Sequence, residues 1–200
     1  MNRLVYLISP NRIYKKFYHD LKDVLSSKKV KFFQLRMKKI DKRNILQISK
    51  KIKPITKKYN VKFIINDNVL FARLANADGC HVGQLDDPKN EVKKYFKNKI
   101  FGVTCHNSKK VSKIAIKNKA TYVAFGSFYK SKLKPSAKKA NLNILKWAKK
   151  KINKPIVAIG GINDKNYKKI INAGANYIAI SSFIWDNPSL KPKQAIKKFK

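Results

Sequence analysis

Residues 31–66 read KFFQLRMKKIDKRNILQISKKIKPITKKYNVKFIIN. The stretch opens on one short apolar run, 31–36, and closes on another, 62–66, each of strand length and rich in Phe, Leu or Ile. Between them Ile45, Ile48, Ile52 and Ile55 recur three and four apart, which predicts one apolar face of a helix over 45–59. Asp41 stands ahead of that helix as an N-cap. The segment is therefore a strand–helix–strand unit. Working outward, runs at 4–8, 31–36, 62–66, 79–83, 100–104, 121–126, 155–160 and 177–181 alternate with Lys-rich amphipathic stretches such as 15–27, 45–59, 108–118, 142–151 and 165–173. Asn107 and Asn163 precede two of these as caps, and Gly174 follows the last as a stop. Eight such units predict an α/β fold, a closed (β/α)8 TIM barrel forming a single compact domain over residues 1–200. An open doubly wound sheet is the rival arrangement.

Composition narrows the class. With 200 residues and 44% apolar content the chain can bury a core, which excludes a disordered or low-complexity protein. No apolar run approaches the roughly 18 residues of a membrane-spanning helix, so no membrane partner is expected. Cys80 and Cys105 are too few for a disulfide framework, which predicts a cytoplasmic protein. The net charge of +38 suggests a polyanion, but Arg supplies only five of the 48 basic residues. The lysines are spread over almost every helical stretch and gather in no stripe. Arg is the better reader of bases and phosphates. No specific nucleic acid is therefore expected, and the field would attract small anionic substrates.

A barrel of this kind keeps its chemistry at the C-terminal ends of its strands. Four of the ten acids, Asp67, Asp78, Asp86 and Asp87, fall within residues 67–87. Asp67 and Asp86 follow neighbouring strands, where two carboxylates repel unless a cation sits between them. Hard oxygen donors with few protein ligands suit Mg²⁺, which takes further ligands from water and substrate phosphates. An Asp at such a place also serves as a turn residue or cap, and Asp87 before Pro88 is read that way. Arg36, Lys38 and Lys134 flank the acids, with Arg36 the most informative because Arg is rare here. On the far side, Gly160-Gly161 and Ser181-Ser182 close two late strands and suit a monophosphate. Cys105 and His106 are adjacent on a strand, so they face opposite ways and form no catalytic pair. His81 reads as a hydrogen-bonded core histidine, His19 as a surface residue, and Cys80, Trp147 and Trp185 as packing. A site with a metal–polyanion half and a monophosphate half suits joining a pyrophosphate ester to a phosphorylated acceptor.

The order Gln34-Leu35-Arg36-x-Lys38, Ile65-Asn66-Asp67, Asp78-Gly79-x-His81-x-Gly83-Gln84-x-Asp86, Gly102-Val103-Thr104, Lys134, Ala158-Ile159-Gly160-Gly161-Ile162 and Ser181-Ser182 resembles the thiamine-phosphate synthase family over nearly the whole chain. The resemblance implies a transferase that condenses hydroxymethylpyrimidine pyrophosphate with thiazole phosphate, giving thiamine phosphate and pyrophosphate. It implies that Asp67 and Asp86 hold Mg²⁺. Gln34, Arg36, Lys38, Asn66, Thr104 and Lys134 would contact the pyrimidine pyrophosphate, with Arg36, Lys38 and Lys134 carrying the catalysis. Ser131, Gly161, Ser181 and Ser182 would contact the thiazole phosphate. The two substrates are then the expected partners, and a homo-oligomer is left open.

Three positions depart from the family pattern. Met37 stands where the family has Glu. In the loop after the sixth strand, Ser127 replaces a Pro and Leu133 replaces a Thr. Lys130 and Lys132 are the candidates to replace the lost hydroxyl contact. The alternatives are a diverged paralogue acting as a thiazole tautomerase, and a non-catalytic basic barrel that binds polyanions. The tautomerase lacks the metal and pyrophosphate residues present here and carries a histidine where this chain has Ser127.

Overall fold

The computed structural model describes residues 3–37, 40–83, 98–130 and 139–200. Eight parallel strands close into a barrel in sequence order: β1 (Val5–Ile8), β2 (Val30–Leu35), β3 (Lys62–Asn66), β4 (Gly79–Val82), β5 (Ile100–His106), β6 (Tyr122–Gly126), β7 (Ile156–Ile159) and β8 (Tyr177–Ile180). The ring closes where Val5, Tyr6 and Leu7 of β1 pair with Ile178, Ala179 and Ile180 of β8. Helices α1 (Phe17–Ser26), α2 (Lys42–Lys58), α3 (Val69–Leu74), α4 (Lys109–Lys117), α5 (Leu142–Lys151), α6 (Tyr167–Asn172), α7 (Ser182–Trp185) and α8 (Pro192–Lys197) complete the described elements. The barrel expectation holds and the open sheet is excluded.

The alternation read from the sequence separates two apolar layers. Outward residues such as Leu7, Phe33, Phe63 and Phe125 pack under the helices with Phe17, Leu21 and Ile52. Inward residues Tyr6, Ile8, Phe32, Ile64, Tyr122, Ala124, Val157 and Ala179 fill the barrel. Four aromatic rings plug it: Tyr6 stacks on Phe32 at 5.2 Å, Phe32 meets Tyr177 edge-on at 5.1 Å, and Tyr122 lies 6.0 Å from Phe32. Trp185 on α7 donates from Nε1 to the Ile8 carbonyl at 2.6 Å and packs on Phe17, which clasps the β8–β1 seam.

Local signals were mostly sound. Asp41 caps α2 by accepting from the Asn44 N–H at 2.9 Å. Gly174 ends α6 with φ +121°. Two cap assignments are corrected. Ser108, not Asn107, caps α4 by accepting from the Val111 N–H at 3.2 Å. Asn107 instead accepts from the Asn141 N–H. Asn163 accepts from the Lys165 and Asn166 N–H groups in a turn ahead of α6, whose N-cap position is Asn166. The Asn163 side chain thus closes a local turn ahead of the helix, while the Asn107 side chain is spent on a distant backbone N–H.

Gly102 on β5 shows why the interior is exacting. A Cβ there would fall inside the Tyr122 ring, whose hydroxyl is bonded to two partners and whose side chain is buried. The ring has nowhere to go. Gly102→Ala is expected to lower the unfolding free energy by about 1–3 kcal/mol, the usual cost of overpacking. Urea denaturation beside wild type measures it, and an unchanged midpoint would show that Tyr122 yields freely.

Candidate functional site at the barrel mouth

Above the aromatic plug the inward positions turn polar. Gln34 on β2, His81 on β4 and Thr104 on β5 all point into the barrel with Tyr6 and Tyr122. Gln34 Nε2 donates to Tyr6 Oη at 3.1 Å, and Tyr6 Oη meets Tyr122 Oη at 2.8 Å. Tyr122 Oη meets His81 Nδ1 at 2.8 Å, and His81 Nε2 meets Thr104 Oγ1 at 2.8 Å. The core-histidine reading of His81 is thus upheld. The sequence reading missed Tyr6 and Tyr122. The available signal was a tyrosine at an inward strand position, where the ring is buried and the hydroxyl needs a partner.

Arg36 follows β2, half-buried. Its N–H donates to Ser9 Oγ at 3.0 Å, while the Ser9 N–H donates to the Gln34 carbonyl at 2.8 Å. Asn66 ends β3, half-buried, and Asp67 follows it, exposed. The Asp67 N–H donates to the His81 carbonyl at 2.7 Å, and its φ is +63°, a left-handed conformation that is uncommon outside glycine. Asp78, by contrast, is structural: its carboxylate accepts from the Phe63 N–H at 2.8 Å.

On the expected phosphate side, the glycines and serines also make contacts within the fold. Gly161 has φ +60°, and a Cβ on it would strike the Lys130 carbonyl and Tyr129. The Gly160 carbonyl accepts from the Tyr129 N–H at 3.0 Å. The two glycines therefore seat the loop after β6. The Ser181 hydroxyl donates to the Ser9 carbonyl at 3.0 Å, so its proton is engaged within the fold. Ser182 is half-buried as the first residue of α7. Ser127 donates its hydroxyl to the Tyr129 carbonyl at 2.8 Å. Lys38, Ser131, Lys132, Leu133, Lys134, Gln84, Asp86 and Asp87 lie outside the described residues.

Electrostatics limits the acid–base candidates. Burial, with the Arg36 charge adding to it, pushes His81 down to about 4. Burial pushes the Cys105 thiol up to about 12. Cys105 is therefore no thiolate, and a shift in strand register between Thr104 and His106 leaves His106 exposed at φ +49°. The expected absence of a Cys–His pair follows from the same geometry.

The family model described as thiamine monophosphate synthase matches residues 5–184. This chain belongs to that family. A thiamine-phosphate synthase of Pelagibacter ubique is 54% identical over 199 residues, covering 99% of this chain and 96% of the relative. One from Erythrobacter litoralis is 35% identical, covering 96% and 92%. The solved structure of a thiamine phosphate pyrophosphorylase from Pyrococcus furiosus superposes with a TM-score of 0.86 at 26% identity, covering 98% of this chain and 93% of that one. The chain is accordingly a transferase that forms thiamine phosphate. No helix among the described residues is long and apolar enough to cross a membrane.

The depressed His81 value has a sign. The unfolded histidine takes up a proton near pH 6.5, while the folded one stays neutral to about 4. Stability from this group is complete above 6.5 and is lost as pH falls through that window, by about 3 kcal/mol in all. Urea denaturation between pH 4 and 7 measures the slope. His81→Gln is expected to flatten it, and an unaltered slope would remove His81 as its source.

Proposed function

We propose that residues 1–200 act as one unit, a Mg²⁺-dependent, cytoplasmic thiamine-phosphate synthase with its site at the mouth around β2–β5. The observation that carries this reading is the convergence there of the inward ends Gln34 and Thr104 with Arg36, Asn66 and Asp67. Its substrates are the pyrimidine pyrophosphate and thiazole phosphate. Gln34, Asn66 and Thr104 hold the pyrimidine side. Arg36, with Lys38 and Lys134 from outside the described residues, faces the pyrophosphate and stabilises charge as it leaves. Gly161, Ser182 and the backbone of Ser181 serve the thiazole phosphate, with Ser131 from outside the described residues.

The donor set suits a hard cation. Asp67 is an exposed carboxylate beyond β3, and Asp86 lies outside the described residues. Among the described residues no group of three or more His, Cys, Asp or Glu gathers. These two carboxylates would leave most of the coordination sphere to water and substrate oxygens, as Mg²⁺ prefers. The ion supplies charge neutralisation on the leaving pyrophosphate. The attacking group is a neutral ring nitrogen, so the chain's own task is positioning and leaving-group stabilisation, with no strong base.

The test is pyrophosphate release with both substrates and Mg²⁺. Asp67→Ala is expected to lose about 10²-fold or more while keeping its far-ultraviolet circular dichroism. Undiminished release in the variant would exclude Asp67 as a ligand. Release with one substrate alone would overturn the condensation.

A further inference from the structure

We propose that Gln34, Tyr6, Tyr122, His81 and Thr104 form a one-way hydrogen-bond chain, with Tyr122 and His81 as positioning residues that aim the Thr104 hydroxyl proton at a ring nitrogen of the pyrimidine. This rests on the functional reading above for the identity of the ligand, but not for the direction of the chain.

Counting protons sets the direction. Tyr6 and Tyr122 are buried, and each hydroxyl has one proton and two neighbours within bonding distance. Gln34 Nε2 donates to Tyr6, so the Tyr6 proton goes to Tyr122. The Tyr122 proton then goes to His81 Nδ1. The neutral ring is left with its proton on Nε2, which donates to Thr104 Oγ1. Thr104 accepts that bond and keeps its own proton for a ligand.

Any break in this order leaves a buried hydroxyl proton without an acceptor or sets two protons face to face. The sole complete alternative requires the Gln34 amide to turn over, which reverses every bond and makes Thr104 an outward acceptor. The orientation at β2 is thereby tied to the polarity at β5, across the barrel. Gly102 belongs to the same device, because its missing side chain makes the space that Tyr122 occupies.

The experiment is a long-range ¹H–¹⁵N correlation on ¹⁵N-histidine-labelled full-length protein at neutral pH, with His81→Gln assigning the signal among the three histidines. The proposal expects a single Nε2–H tautomer for His81. An Nδ1–H tautomer, or a mixture, overturns it. This readout needs no substrate, so it decides the chain even if the condensation assay fails, and it uses a histidine variant only for assignment. In the assay, Tyr122→Phe is expected to raise the KM for the pyrimidine pyrophosphate about tenfold, the scale of one lost hydrogen bond, with the thiazole phosphate KM unmoved. Thr104→Val should match it and Thr104→Ser should restore the wild-type value. Equal rises in both KM values, or none, would reduce Tyr122 to packing.

Discussion

Eight strands closed on themselves enclose an interior that side chains must fill, and every polar atom placed there must find a partner inside. The rest of this molecule follows from that constraint. Tyr6, Phe32, Tyr122 and Tyr177 supply the volume. Their size then forces Gly102 on the neighbouring strand. The two buried tyrosine hydroxyls force Gln34 and His81 to meet them. The mouth is polar because the plug beneath it carries polar tips that bond upward and across.

The seam at β1 shows the same economy on the other side. Ser9 makes three bonds at once. Its N–H bonds the Gln34 carbonyl, its Oγ accepts from the Arg36 N–H, and its carbonyl accepts from Ser181. One buried residue therefore links the end of β2, which carries Gln34 and Arg36, to the start of α7. A shift of β1 relative to β8 would displace both halves of the mouth together. The Trp185–Ile8 bond acts in the same place.

The sequence carried the architecture because inward and outward positions alternate plainly in runs such as 62–66, where Phe63 and Ile65 face the helices and Ile64 faces the barrel. It also placed the expected site residues Gln34, Arg36, Asn66, Asp67 and Thr104 at or near strand ends, where register sets them. It missed what depends on pairing across the barrel. Nothing local marks Tyr6 and Tyr122 as partners 116 residues apart. The Gly160–Gly161 pair shows a related limit. Glycine reports that something comes close, not what comes close, and here Ser127, Tyr129 and Lys130 of the adjoining loop take the space.

The titrating groups then bear on the chemistry. Cys105 is held protonated and His81 is held neutral by burial. A buried neutral imidazole bonded at both nitrogens is spent on geometry and is a poor proton acceptor near pH 7. Such an interior would serve badly in a reaction limited by abstracting a proton. It suits one in which the nucleophile already has a lone pair and the barrier is the departure of a polyanion. In the function proposed above, the useful charges are Arg36 at the rim and a cation held at Asp67, placed over a neutral, hydrogen-bonded floor. On that proposed function, a net charge of +38 would also raise the local concentration of anionic substrates at the mouth.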